Sequence, residues 1–139
     1  MDDADRPSAD TGPLAGVRVV EVGSMISGPT AGRLLADFGA EVIKVERPET
    51  GDHLRQFGPQ VDGHSVWWKY LARNKRSVTL DLSAEGGAAV FEDLVSEADL
   101  VIENFRPGTL ERWGLGPESL REATPGLVVL RVSGFGQTG

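Results

Sequence analysis

The chain has 139 residues, enough for one domain with a modest core and too few for two independent ones. Its formal net charge of -7 argues against nucleic acid or an anionic membrane surface as partner, so any anionic ligand needs a local basic pocket. Cysteine is absent, which excludes disulfides, thiol catalysis and Cys-ligated zinc and agrees with the cytoplasmic location we expect.

Residues 1–12 are acidic and lack the basic and apolar stretches of a secretory signal, so they are expected to form a disordered tail before a domain over 13–139. No apolar run approaches the length of a membrane span. Val17, Val19, Val20 and Val22 predict a buried strand over 17–22. The run Gly23-Ser-Met-Ile-Ser-Gly28 then turns the chain into a helix over 29–38. Pro29 suits its first turn, Leu34, Leu35 and Phe38 mark its burial face, and Gly39 is a left-handed stop.

A second strand over 41–46 ends in Glu46 and Arg47. The segment from Pro48 to Trp68 has little periodicity and several turn residues, and predicts an excursion over the surface. Trp67, Trp68, Tyr70 and Leu71 are expected in the core or a subunit interface, and Arg73-Asn-Lys-Arg76 as a solvated basic turn on the opposite rim. A third strand over 77–82 leads to a helix over 84–97, capped by Ser83 and weakened near its start by Gly86-Gly87. Strands follow over 99–103 and 127–132, with Pro107 and Pro117 each opening a short helix between them. Apolar runs alternating with helical patterns predict an α/β fold, a Rossmann-like parallel sheet with crossover helices.

In such sheets ligands bind beyond the carboxyl ends of the strands. There the sequence places the Gly/Ser turn, Glu46 and Arg47, Ser83, Glu103-Asn-Phe-Arg106 and Ser133-Gly134. Backbone N–H groups at the helix start suit phosphate or carboxylate, guanidinium forks match phosphate, and Asn104 suits an adenine or amide edge. Equally, the strand-end arginines can pair with Glu46 and Glu103 on the surface, and spacing alone leaves both readings open.

Other signals fail. Gly23 and Gly28 are too far apart for a dinucleotide fingerprint, although Glu46 stands where an NAD enzyme places its ribose-binding acid. No P-loop lysine follows the turn, Ser24 and Ser27 form no nucleophile elbow, and His53 and His64 lack metal-ligand spacing, so no metal is expected. Asp52, Asp62 and Asp81 are acids that nothing pairs, and no catalytic residue is assigned.

Five stretches in order carry a family resemblance: Gly12-Pro-Leu-Ala-Gly-Val-Arg-Val-Val-Glu, Leu35-Ala-Asp-Phe-Gly-Ala-Glu-Val-Ile-Lys-Val-Glu-Arg-Pro, Asn74-Lys-Arg-Ser-Val-Thr-Leu-Asp-Leu, Glu103-Asn-Phe-Arg-Pro-Gly and Ser133-Gly-Phe-Gly-Gln-Thr-Gly. Over residues 12–139 the chain resembles the amino-terminal portion of the family III CoA-transferases, the CaiB/BaiF group. That group includes formyl-CoA transferase, the carnitine CoA-transferases and α-methylacyl-CoA racemase. The resemblance implies an incomplete large domain of that fold, acyl-CoA and carboxylic acid substrates, no metal, and an interlocked homodimer for the full-length protein.

It further implies that Met25, Ile26 and Ser27 line the CoA path and that Arg47 meets the adenosine phosphate end. Leu80, Asp81, Leu82 and Ser83 would border the adenine, Asn104 and Arg106 would stand beside the cofactor, and Arg112 would add a basic contact. Many relatives have lysine where Ser83 stands. The transferases of the family use an aspartate nucleophile and the racemases a histidine and an aspartate. Both sets lie downstream of Gly139, so the chain is expected to be a truncated product that is inactive alone. An acyl-CoA racemase fragment and a non-catalytic nucleotide-binding module are the alternatives.

Overall fold

The computed structural model describes residues 12–138. Its elements are β1 (Arg18–Glu21), α1 (Ser27–Asp37), β2 (Glu41–Glu46), a 3-10 turn (His53–Gln56), β3 (Gln60–Val61), β4 (His64–Ser65), α2 (Val66–Leu71), β5 (Lys75–Thr79), α3 (Gly87–Val95), β6 (Leu100–Glu103), α4 (Thr109–Arg112), α5 (Pro117–Ala123) and β7 (Val128–Arg131). The expected tail lies outside the described residues except for Gly12, which stands in a bend leading into the first turn.

Five strands pair in the order β5-β2-β1-β6-β7, every neighbour parallel, so the α/β expectation holds. Val20 of β1 is in register with Ile43 on one side and Val101 on the other. Helices cover both faces of the sheet, which is why the β1 valines form a continuous apolar run rather than an alternating one. Val20, Val22, Val45 and Val101 pack with Phe91, Val95, Leu110, Leu115 and Leu120 on one face. Val19, Val42 and Ile102 pack with Ala36 and Ala40 on the other. Chain order reverses at β1, since β2 follows on one side and β6 on the other, and this is the switch point where the strand-end rule puts a ligand.

Helix α1 departs from the expected burial face. Leu34 and Phe38 are exposed, only Leu35 of the expected face packs against the core, half-buried, and the fully buried residues include the small Gly28, Gly32 and Ala36, spaced four apart. The reason is a close approach: a Cβ on Gly32 would stand 1.9 Å from Glu21 Oε2, so a leucine face would not fit over the charged end of β1. Gly39, at φ +100°, ends the helix as expected.

The excursion over 48–68 contains local order that periodicity missed. β3 and β4 form a hairpin around Asp62-Gly63, both at positive φ, and an Asp-Gly pair is the short-range signal that marks such a turn. Helix α2 begins at Val66 with Ser65 as its cap, accepting from the Trp68 N–H at 3.1 Å. Of the aromatic cluster only Leu71 is fully buried, while Trp67 and Tyr70 are exposed.

β5 starts at Lys75, two residues earlier than predicted, so Lys75 and Arg76 of the basic run belong to the strand while Arg73 and Asn74 form the turn before it. Ser83 does not cap α3. Its N–H and hydroxyl both donate to Asp81 Oδ1, at 2.9 and 2.6 Å, and the helix begins four residues later, after Gly86. Pro117 opens α5 as expected, whereas α4 begins two residues beyond Pro107. Both edges of the sheet, β5 and β7, show apolar residues to solvent, including Val78, Val128 and Leu130.

Candidate functional site

A cleft of about 380 Å³ opens at the carboxyl ends of the central strands. Val22, Gly23 and Ser24 after β1, Lys44 to Arg47 at the end of β2, Leu80 to Leu82 after β5, and Phe105 and Trp113 line it, with Asp52 and His53 on the turn beyond β2. Its apolar wall is completed by Phe105 and Trp113, which meet edge to face with ring centroids 5.6 Å apart.

The loop after β1 is held from two sides. Asn104 accepts from the Ser24 N–H at 2.8 Å and donates to the Ser24 carbonyl at 2.8 Å and to Ser27 Oγ at 3.0 Å. From the β2 side, Lys44 Nζ donates to the Gly23 carbonyl at 2.8 Å and Asp52 Oδ1 accepts from the Met25 N–H at 3.0 Å. The glycine pair that failed as a dinucleotide fingerprint has a different use. A Cβ on Gly23 would lie 3.0 Å from both the Gly28 Cα and Asn104 Oδ1, so the two ends of the loop touch only because both lack side chains.

Beneath the loop lies a buried ionic cluster. Lys44 Nζ bridges Glu21 Oε1 at 2.9 Å and Asp52 Oδ2 at 2.8 Å, and Lys75 Nζ reaches Glu21 Oε2 at 2.6 Å and the Pro29 carbonyl at 2.8 Å. The four side chains are at most 2% exposed. Two carboxylates and two ammonium groups leave no excess charge, which is what allows such groups to be enclosed. Burial pushes the Lys75 ammonium below its ordinary value, opposed mainly by the Glu21 carboxylate. The sequence carried a signal for this cluster that periodicity ignored: Glu21 and Lys44 sit inside otherwise apolar strands.

Glu46 is committed as well. Arg55 donates to both of its oxygens at 2.7 and 2.8 Å, Ser77 Oγ to Oε1, and the Asp52 N–H to Oε2 at 2.9 Å. Arg55 in turn lies 3.7 Å over the Trp68 ring. Every oxygen is occupied, so the ribose-binding role that position alone suggested for Glu46 has no free acceptor. Burial raises the Glu46 pKa, but the hydrogen bonds from Arg55, Ser77 and the Asp52 N–H outweigh it and hold the carboxyl at about 2.

A depressed carboxyl stabilises the folded state fully above its unfolded pKa and loses that contribution as pH falls through the folded one. The Glu46 contribution is therefore complete above about pH 4.5 and fades toward pH 2. Glu46→Gln is expected to flatten the acid limb of stability in that window. Urea midpoints measured from pH 2 to 7 check this, and an unchanged acid limb would contradict it.

The predicted residues divide. Arg47, Leu80, Asp81 and Leu82 line the cleft, and the Ser83 hydrogen bonds, aided by the Arg47 charge, hold the Asp81 carboxyl below the usual range. Met25, Ile26 and Ser27 belong to the clamped loop at the rim without lining the cavity, and Ser83 is exposed beside Asp81. Asn104 spends its amide on the loop. Arg106 and Arg112 are exposed one residue from Phe105 and one from Trp113, and Arg112 donates to Thr109 Oγ1 at 3.0 Å. Ser133 donates to the Gly136 carbonyl within its own loop. Lys44, Asp52, His53, Phe105 and Trp113 are lining residues that the sequence reading did not select as site residues.

The open question about the strand-end arginines is also answered. Glu46 pairs with Arg55 and Glu103 with Arg131, and among the described residues neither Arg47 nor Arg106 makes an ion pair. Among the described residues, then, Arg47 lines the cleft without an ion-pair partner, and Arg106 is exposed next to the lining residue Phe105.

This geometry defines an α/β protein with a switch-point cleft suited to a ligand that is anionic at one end and apolar or aromatic along its length. The chain belongs to CoA-transferase family III, whose family model matches residues 14–139. It is similar to the succinyl-CoA–D-citramalate CoA-transferase of Chloroflexus aurantiacus, 57% identical over 128 residues that cover 91% of this chain and 32% of that protein. It is also similar to the succinate–glutarate CoA-transferase of Agrobacterium fabrum, 46% identical over 134 residues that cover 91% of this chain and 34% of that protein. Among solved structures, a CAIB/BAIF family protein from Brucella suis matches with a TM-score of 0.85 at 44% identity, covering 92% of this chain and 35% of that one. The chain spans about a third of the length of the curated relatives it matches.

Proposed function

We propose that the chain is the amino-terminal, CoA-binding part of a CoA-transferase that moves CoA between an acyl-CoA and a carboxylic acid. The observation that carries this reading is Arg47, without an ion-pair partner among the described residues, in a cleft walled by Leu80, Leu82, Phe105 and Trp113, with the exposed Arg106 next to Phe105 in the chain. CoA carries phosphates at one end and an adenine and pantetheine chain elsewhere, so it asks for local positive charge next to apolar and aromatic surface. In a chain of net charge -7 that charge must be close to the phosphates to outweigh screened long-range repulsion. In this reading Arg47 holds the adenosine phosphate end, Leu80 to Leu82 border the adenine, and the β1 loop orients the pantetheine.

The carboxylates of this cleft are already employed. Glu46 is bound by Arg55, Asp52 by Lys44 and two N–H groups, and Asp81 by Ser83. A nucleophile needs a free, aimed carboxylate, so in this reading the catalytic aspartate lies beyond residue 139 and the chain alone is inactive. In the complete protein that aspartate displaces CoA thiolate from the acyl carbon, and the thiolate attacks the aspartyl carbonyl of the mixed anhydride to expel the donor acid. The acceptor carboxylate then displaces the thiolate, which attacks the acceptor's carbonyl to give the new acyl-CoA and free the aspartate. The relatives named above are transferases, which favours transfer over α-proton racemisation. The same reading makes the complete protein a cytoplasmic, interlocked homodimer.

Two measurements on the 139-residue chain test this. Calorimetric titration is expected to show CoA binding, weakened about tenfold by Arg47→Ala through loss of a charge-assisted phosphate contact. Incubation with succinyl-CoA and a dicarboxylic acid is expected to give no CoA transfer. Transfer by this chain would contradict the missing nucleophile, and an unchanged affinity in Arg47→Ala would contradict the phosphate role.

A further inference from the structure

We propose that Asp52, held by Lys44, is a positioning residue that fixes the β1 loop in the shape the cleft needs to receive CoA. The inference rests on the CoA reading above and adds to it a residue whose role is to hold the loop rather than a part of the ligand. It starts from Met25, a non-glycine residue at φ +63°, in the left-handed region that long side chains rarely adopt. Such a conformation persists only where its surroundings over-determine it.

Asp52 supplies that determination. It is 4% exposed, and its Oδ1 accepts from the N–H groups of both Met25 and Leu54, at 3.0 and 2.8 Å. Its Oδ2 lies 2.8 Å from Lys44 Nζ, and the same ammonium donates to the Gly23 carbonyl two residues before Met25. One buried ion pair thus grips the loop at both Gly23 and Met25.

Asp52 also joins two cleft segments. The turn that brings it there is closed by the Gly51 N–H on the Arg47 carbonyl at 2.9 Å, and its own N–H donates to Glu46 Oε2 at 2.9 Å. The carboxylate therefore sets the distance between the Arg47 turn and the β1 loop, two of the segments that bound the cleft. Pre-set geometry of this kind raises affinity by removing the ordering cost from the binding step.

If Asp52 merely neutralised Lys44, its removal would lower global stability without changing the loop in molecules that remain folded. Amide hydrogen exchange separates the two roles. In Asp52→Ala the Met25 amide is expected to exchange at least about tenfold faster while the β1 amides of Val19 and Val20 keep their protection. The CoA dissociation constant is expected to rise about tenfold in the same variant. Asp52→Asn keeps an oxygen that accepts from Met25, and is expected to recover most of both.

Unchanged Met25 exchange in Asp52→Ala overturns the proposal, and so does unchanged CoA affinity despite faster exchange. If the unsubstituted chain binds no CoA, the functional reading falls, and the exchange data then decide the clamp by themselves. If Asp52→Ala does not fold, Met25→Gly in the otherwise intact chain decides. Glycine takes a positive φ freely, so a loop held against its preference gives a higher melting midpoint. A lower midpoint overturns the clamp.

Discussion

Glu21→Ala is expected to destabilise the chain by about 3–5 kcal/mol, the usual cost of leaving a buried charge without its partner. Here two ammonium groups lose it at once. Lys44 keeps Asp52, but Lys75 keeps only the Pro29 carbonyl, and both lysine side chains are 2% exposed. The total stability of a domain this size is about 5–15 kcal/mol, so the variant sits near its unfolding threshold at neutral pH. Urea titration followed by circular dichroism measures the loss. A cost below about 1 kcal/mol, the range of an exposed pair, would mean that the cluster is solvated in solution. The pair between Arg73 and Asp37 is the internal comparison: those side chains are 48% and 24% exposed, and Arg73→Ala is expected to fall within that smaller range.

Gly87→Ala is expected to lower stability by about 1–3 kcal/mol although alanine is the better helix former. A Cβ at this position would stand 2.0 Å from the Asp81 carbonyl oxygen, a backbone atom that cannot rotate away. Either α3 shifts off the sheet, disturbing the fully buried Phe91, or the Asp81-Leu82 segment moves. That segment lines the cleft, so the second route is also expected to weaken the proposed CoA binding. Urea unfolding and calorimetric CoA titration of one preparation read both effects. Stability equal to or above that of the unsubstituted chain would show that the approach between α3 and the end of β5 is looser than the structure has it.

The correct elements of the sequence reading are those with a local cause. The valine run of β1, the βαβ alternation and Pro117 at the start of α5 were legible because each depends on neighbours a few residues away. The errors share a different cause. Leu34 and Phe38 form a fair burial face on a helical wheel, yet α1 turns Gly28, Gly32 and Ala36 to the sheet because Glu21 rises beneath it. Ser83 has the composition of a helix cap, yet Asp81, two residues earlier, takes its hydroxyl and its N–H. Lys75 reads as part of a solvated basic run, yet it reaches a carboxylate 54 residues away.

The site divides in the same way. Strand ends and family motifs pointed to Arg47, Leu80, Asp81 and Leu82, and these do meet in one cleft. The partners of the strand-end charges could not be read, because Arg131 lies 28 residues from Glu103 and Arg55 reaches Glu46 only through the fold of the intervening turn.

What the amino-acid order determined alone is the alternating α/β plan and the family, since these follow from periodicity and contiguous motifs. Only the tertiary structure decided which charges neutralise one another and which guanidinium groups, among the described residues, make no ion pair. Pairing depends on distances set when separate crossovers pack on one sheet, and no local pattern in the chain encodes those distances.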